Sequence, residues 1–399
     1  MKVLHVIPSV ASAHGGPSRA IEICERACVA AGVSVTTATT DDDGPGRRLD
    51  ASRRPTSANG ATRIYAGKWL EFYKVSPGLM VWLWCNASRF DVIHIHALFS
   101  FPSVAAGVVA WLRGVPYVVR PLGTLSTYGV TKRRPLLKRL SLAAIERPLL
   151  HRTAAVHLTS EAERAEAKSL GMSLRSVVIP LAVDEGPCGD AAHIEREHPM
   201  IRGRKRILYL SRLDPKKNLE ALLRAFAEIR TADGAVVLLV AGDGPADHVA
   251  RLVALSRELG VDERVVWLGH VEGARKASVF AAAQVFVLPS HSENFGIAAA
   301  EALLAGLPCV LARGVAIASD VEEAGAGVAV APTAKEIAKG LRRFLDDEEL
   351  RRTSGDRGRA FALSRYSPQT MAVRLLELYA QIRPEAAEPG TQMRVRRTS

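Results

Sequence analysis

The chain has 399 residues, 48% of them hydrophobic and 24% charged, with a formal net charge of +12 and a pI near 9.7. The length exceeds what one compact core holds and points to two domains of ordinary globular composition. The longest apolar runs, 75–87 and 103–112, fall well short of the ~20 residues of a membrane span, and five scattered cysteines without a CxxC pair argue against a disulfide framework or structural zinc and fit a reducing cytosol.

In chain order, MKVLHVIPSV reads as a first strand, because a secretory signal would need a longer apolar core and a small-residue cleavage site. SRAIEICERACVAAG has apolar residues near a 3.6 spacing and predicts a helix closed by Gly32. VSVTTATT reads as a second strand, and DDDGPGRRLDASRRPTSANGA as a polar loop. DVIHIHAL predicts a buried strand, PSVAAGVVAWLRG a helix and VPYVVRPL another strand. RPLLKRLSLAAIERPLLHR predicts a basic helix that Pro148 breaks or kinks. AAVHLTS and EAERAEAKSLG supply a further strand and helix.

From Asp184 to Arg202 the pattern lapses around Gly186, Pro187, Gly189 and Pro199, which reads as a linker. The alternation then restarts through RILYLSR, LEALLRAFAEIR, AVVLLVAGDG, ADHVARLVALSRELG, VVWLG, ASVFAAA, VFVLPS and LPCVLA. Two successive β-α arrays predict an α/β protein with two Rossmann-like, doubly wound parallel sheets. The expected boundaries are residues 1–183, a linker at 184–202, and 203–365. A helix follows at 366–383, then a disordered tail at 384–399.

Charge is unevenly placed. Between Arg113 and Arg152 stand nine Lys/Arg and one acid, Glu146, a local balance of +8. This is either a solvated basic face or a surface for anionic membrane or a diphosphate-bearing substrate. Nucleic acid fits less well, since the stretch has no zinc-finger spacing and no aromatic platform signature.

In open parallel sheets, ligands bind beyond the carboxyl ends of the strands, so chemistry is sought in the loops that follow them. After the first strand, Gly15-Gly16 opens a helix, where backbone can approach an anion closely. His94 and His96 alternate along DVIHIH and share a side; no nearby carboxylate or cysteine completes a site, so a packed histidine outweighs a metal pair. In SRLDPKKNLE, Arg212 and Lys217, with Lys216 as the neighbouring alternative, set cations at a strand-to-helix junction suited to a diphosphate. GDGP, with Gly242 and Gly244, would let backbone approach a base or ribose. In PSHSENFGIAAAEALLAG the helix is expected to start near Phe295 or Gly296 and end at Gly306. Glu293 would then precede it and Glu301 lie about two turns inside. Taken singly, a capping Glu293 and a solvated Glu301 are the simpler readings. The acidic run Asp41-Asp42-Asp43 reads as a polar loop rather than a metal site.

Together these loops resemble the retaining glycosyltransferases of family four, which have the GT-B fold. The E-x7-E motif is matched by Glu293 and Glu301, the arginine–lysine pair by Arg212 and Lys217, the glycine pair by Gly15-Gly16 and the strand-end histidine by His96. RPLGTLSTYG and GVAIASD are also similar to members of exopolysaccharide and lipopolysaccharide assembly. The resemblance implies transfer of a hexose from a UDP- or GDP-sugar to an acceptor hydroxyl, with retention, without metal or other cofactor. It implies that Arg212, Lys217, Glu293 and His96 act on the reacting sugar and diphosphate. Donor contacts would come from Gly15, Gly16, Gly242, Gly244, Asn294, Phe295, Gly296, Ile297 and Glu301. The basic segment Arg113 to Arg152, in the half where that family binds acceptors, suggests an anionic membrane partner and, with it, a lipid-linked saccharide acceptor and a cytoplasmic place on the inner face of the plasma membrane. The alternatives are a nucleotide-sugar epimerase, an NAD-dependent oxidoreductase, which the missing GxGxxG disfavours, and a non-catalytic membrane-binding module.

Overall fold

The computed structural model describes residues 1–49, 56–125, 140–229 and 235–383. Much of the basic segment (126–139, with Lys132, Arg133, Arg134, Lys138 and Arg139) and the expected tail at 384–399 lie outside the described residues.

The first sheet comprises β1 (Lys2–Val6), β2 (Ser34–Thr40), β3 (Thr56–Ala58), β4 (Ala61–Ala66), β5 (Val92–His96), β6 (Tyr117–Arg120), β7 (Ala155–Leu158) and β8 (Ser176–Val178). Its order is β3-β4-β2-β1-β5-β6-β7-β8, parallel except for the β3–β4 edge hairpin. The second holds β9 (Lys205–Leu210), β10 (Val236–Ala241), β11 (Val265–Gly269), β12 (Val285–Leu288), β13 (Cys309–Ala312) and β14 (Gly327–Val330), in the order β11-β10-β9-β12-β13-β14. This is the winding of a dinucleotide-type sheet, which reverses direction between β9 and β12; in the first sheet the reversal falls between β1 and β5. Such reversals open the crevices where sheets of this kind bind ligands.

The helices of the first half are α1 (Gly16–Ala30), α2 (Pro77–Asn86), α3 (Phe101–Leu112), α4 (Arg147–Arg152) and α5 (Glu161–Ser169). The second half has α6 (Ala191–Glu197), α7 (Leu219–Glu228), α8 (Ala246–Glu258), α9 (Gly273–Ala282), α10 (Ile297–Leu304), α11 (Ala318–Glu323), α12 (Ala334–Asp346), α13 (Glu348–Tyr366) and α14 (Pro368–Ile382). Strands such as β10, VVLLVA, are buried at every residue because helices cover both faces of the sheet. On α7, Leu219, Leu222, Leu223 and Phe226 recur at three- and four-residue spacing and turn one stripe into the core. Helix α14 leaves the second domain and packs on α1, placing Met371, Leu375 and Tyr379 in the core of the first.

Three departures from the sequence reading have physical reasons. The polar stretch 41–61 contains β3, and its Asn59-Gly60 turn, with φ of 54° and 77°, closes the hairpin onto β4. The stretch 184–202 is not patternless. It includes α6 and the turn Pro199–Ile201, and Ile194 and Ile201 are fully buried in the second core, where α6 packs on α9. The basic helix does not stop at Pro148. A π-helical stretch, Leu142–Glu146, absorbs the missing hydrogen bond immediately before α4.

Candidate active site

The loop after β9 runs Ser211 to Asn218. Asp214 caps a short turn, Pro215–Lys217, by accepting from the Lys216 amide at 2.9 Å. Asn218 then adopts a left-handed conformation (φ 57°) and donates to the carbonyls of Pro289 and Pro332. These bonds fix Lys217 against the loop after β12. Its Nζ donates to Glu293 Oε1, which also accepts from Ser290 Oγ at 3.1 Å. Glu293 itself is held by backbone: its amide donates to Gly314 O at 2.8 Å and its carbonyl accepts from Ala316 N at 3.1 Å. Lys216 is half-buried, and that burial lowers its ammonium pKa. Arg212 stands exposed at the head of the loop. Three cations and one carboxylate thus gather at the β9/β12 reversal.

Glu301 lies in the second turn of α10, closer to the helix start than the expected two turns, because the helix begins at Ile297 and ends at Leu304. It is mostly buried and accepts from Lys276 Nζ of α9 at 2.7 Å. The two glutamates therefore occupy different sites. Glu293 faces the cationic loop, whereas Glu301 lies across α10 toward α9. Between them Gly296 (φ 95°) sits where a β-carbon would stand 2.8 Å from Val315 Cγ1, so the motif needs glycine there.

Residues Asn294 and Ile297 meet the first domain. Asn294 Nδ2 donates to Leu122 O at 3.4 Å, and its carbonyl accepts from Thr159 Oγ1 at 3.4 Å. Gly123 (φ 72°) lies so close that a β-carbon there would fall 1.7 Å from Asn294 Nδ2. Ile297 Cδ1 is 3.4 Å from where a β-carbon on Gly16 would stand, next to Gly15 (φ 65°) at the start of α1. Glu163 holds this edge of the first domain by accepting from the amides of Gly123 and Thr159. The structure thus brings Gly15, Gly16, Asn294 and Ile297 to one inter-domain seam, beside Arg212, Lys217 and Glu293.

Other candidates are placed differently. Phe295 is 3% exposed and packs edge-on to Tyr366, at 5.2 Å between centroids, so its side chain belongs to the core and leaves only its backbone to face the loop. Gly242 and Gly244 are explained without a ligand. Added β-carbons would stand 1.9 Å from Ser211 O and 2.0 Å from Leu213 O, so the glycines admit the neighbouring loop's backbone. Asp42 is bound by Lys68 and Lys74 at 2.5 and 2.7 Å and by His14 at 2.9 Å; lysines occupy the carboxylate of the acidic run.

His96 does not join Lys217 and Glu293. Alternation along β5 turns His94 and His96 beneath α1 and α14, where both are fully buried. His5 Nδ1 and His96 Nε2 are hydrogen-bonded at 2.7 Å. His94 bonds Tyr379 of α14 at 2.7 Å, and His157 bonds Ile179 O at 2.8 Å. Burial, aided by the Arg120 charge, depresses all four imidazoles, His5 and His157 to about 3. The fold also supplies cysteines that sequence spacing did not: the ligand atoms of His5, Cys24 and Cys28 lie within 4.8 Å of one another. The buried Arg120 guanidinium, with no hydrogen-bond partner among the described residues, opposes a cation there.

Sequence reasoning missed Glu146. It is fully buried under the loop that follows β5, accepts from the Phe99 amide at 3.0 Å and from Tyr73 Oη at 3.4 Å, and burial pushes its pKa up to about 7. Ala97 and Phe99 in that loop, and Leu122 in the next, have positive φ without being glycine. Such strain gathers at the carboxyl edge of the first sheet, facing the seam. A lone acid in a basic helix was the available signal.

Two family models match the chain: Glycosyl transferase 4-like domain over residues 15–182, and Glycosyl transferases group 1 over residues 191–361. A 2-deoxystreptamine glucosyltransferase of Streptomyces kanamyceticus is 31% identical over 268 residues, 64% of this chain and 68% of that one. A phosphatidyl-myo-inositol mannosyltransferase of Mycobacterium tuberculosis is 28% identical over 323 residues, 76% of this chain and 77% of that one. Among solved structures, Anabaena Alr3699/HepE in complex with UDP and glucose superposes with a TM-score of 0.74 at 19% identity, covering 96% of this chain and 100% of that one.

Proposed function

Because the chain belongs to the glycosyl transferases group 1 family and has the two facing parallel-sheet domains of the GT-B fold, we propose that it moves a hexose from a UDP- or GDP-sugar to an acceptor hydroxyl with retention of configuration. The observation that carries this reading is the gathering of Arg212, Lys217 and Glu293 at the β9/β12 reversal, opposite Gly15-Gly16. A departing nucleoside diphosphate gains negative charge as the sugar bond breaks. Arg212, Lys217 and the first amides of α10 offer fixed positive potential where that charge develops. Lys217 is already oriented by Glu293, so little reorganisation is needed for it to turn to a phosphate oxygen. With cations in this role the step needs no metal ion. Attack by the acceptor from the face the diphosphate leaves, with a phosphate oxygen taking the proton, gives retention without a covalent nucleophile.

Glu301 would accept from the vicinal ribose hydroxyls, exchanging Lys276 for them, and Glu293 would touch the sugar. His96, buried in the histidine cluster, would act by supporting the strand end rather than by holding the sugar. A lipid-linked saccharide in surface polysaccharide or glycolipid synthesis is the acceptor class this reading favours, and the M. tuberculosis relative is named for a lipid acceptor.

The glutamates give a direct test. Glu301→Ala is expected to weaken nucleoside diphosphate binding about tenfold or more, since it removes a charged hydrogen-bond acceptor of the ground state. Glu293→Ala is expected to leave that affinity nearly intact while lowering turnover. Calorimetry with UDP and GDP, set beside turnover, separates the two; equal loss of nucleotide affinity in both variants would remove the assignment.

A further inference from the structure

Helices α2, α3 and the 142–152 helical stretch lie side by side on one face of the first sheet. Their inner side chains, among them Leu79, Leu83, Val109, Leu142 and Leu150, form a single core cluster. Their outward side is unusually apolar. Trp84 and Val81 of α2 are 45% and 63% exposed, and Trp111 and Leu112 of α3 are each 53% exposed. Leu140 is 68% exposed, and Trp69, on the loop beside the cleft edge of this layer, 74%. Three of the chain's five tryptophans thus point to solvent from one layer. Patches of this kind on a folded surface mark an interaction site.

The charge around the patch selects the partner. Arg113 lies over the Trp84 ring at 5.0 Å and Arg152 over the Trp111 ring at 4.9 Å, while Arg89 and Arg147 are exposed on the same layer. Across residues 77–90, 101–113 and 140–152 the single carboxylate is Glu146, which is fully buried. Tryptophan beneath arginine, with cations around it and the exposed acid beside Trp69, Glu71, paired to Lys68 and Lys74, matches an interface where rings sit at headgroup level and guanidinium groups meet phosphate. A protein partner of ordinary composition would not call for a face whose three helices expose no acidic residue.

We propose that this layer docks the enzyme on an anionic lipid surface. The loop from Trp69 to Lys74 joins that surface to the cleft, because Tyr73 Oη donates to Glu146, whose other bond holds the strained loop after β5. An acceptor carried in the membrane would therefore meet the first domain at the edge of the seam. This deepens the lipid-linked acceptor reading, but docking itself requires no donor and no turnover.

The test uses the full chain with sedimented vesicles of phosphatidylcholine alone or with phosphatidylglycerol. Binding to the anionic vesicles only, released by salt, with a blue shift of tryptophan emission, is expected. Arg113→Gln, Arg147→Gln and Arg152→Gln together should weaken partitioning on the order of a hundredfold, at ~1 kcal/mol per cation. Trp84→Ser with Trp111→Ser should remove most of the emission shift and most of the binding while the circular dichroism spectrum stays unchanged. Failure of the parent protein to bind anionic vesicles at low salt overturns the proposal. So does undiminished binding by either folded variant, or a mass that doubles through this face in solution. If vesicles bind but no nucleotide sugar is consumed, the transfer reading falls and the docking surface stands.

Discussion

Lys217→Ala is expected to lower turnover about a hundredfold or more, and Arg212→Ala by a similar factor. Each removes a cation placed where the leaving diphosphate gains charge; a hundredfold corresponds to about 2.7 kcal/mol of transition-state stabilisation. Because the interaction strengthens as the sugar bond breaks, kcat should fall more than KM rises. Lys217 is the more informative. Its ammonium is pinned by Glu293, which accepts also from Ser290, so its loss leaves a mostly buried carboxylate with a weakened environment. Lys217→Arg should recover part of the rate, since charge returns with altered geometry. Arg212 is exposed and forms no ion pair among the described residues, so its removal should leave the melting temperature unchanged. Near-normal turnover in both alanine variants, measured by nucleoside diphosphate release, would reject this site.

The first domain should lose stability steeply between pH 6.5 and 5. His5 and His157 have pKa values near 3 in the fold, against 6.5 for the free side chain, because burial and the Arg120 charge penalise the imidazolium. A depressed pKa means that the unfolded chain takes up protons first. The stability is fully present above pH 6.5 and is lost as pH falls toward 3. At pH 5 each of these two histidines costs about 2 kcal/mol, and His94 and His96 shift in the same direction. Against a typical domain stability of about 5–15 kcal/mol the combined loss is large. Denaturant midpoints at stepped pH, with hydrogen exchange to localise the opening, should show β1, β5 and α14 released first. A flat midpoint from pH 7 to 5 would contradict the buried neutral cluster.

The sequence carried some features of this molecule and concealed others. Strands such as VVLLVA and VFVLPS announce themselves because both faces of a parallel sheet are buried, and the restart at RILYL marks the second domain. The Glu293 and Arg212/Lys217 loops were legible because each directly follows a strand, where a parallel sheet presents its ligand edge. The seven-residue α6 was not, since two buried isoleucines in a polar stretch give too short a period. His96 shows the limit most clearly. Its place at a strand end is right for chemistry, but which side of the strand faces the cleft depends on α14, which arrives nearly 300 residues later to bury the cluster. Likewise Glu146 becomes significant only when a π turn aims it beneath Phe99, and the exposed tryptophans look like core until α2 and α3 are set in one layer.

The most direct measurement is product analysis after incubating the full chain with UDP-, GDP- and ADP-sugars, an acceptor extract carried in anionic vesicles, and a metal chelator. Release of nucleoside diphosphate from a UDP- or GDP-sugar is expected, matched by hexose incorporated into the acceptor with the donor's anomeric configuration and unaffected by the chelator. Inverted configuration, or conversion of one nucleotide sugar into its epimer without transfer, would contradict retaining transfer.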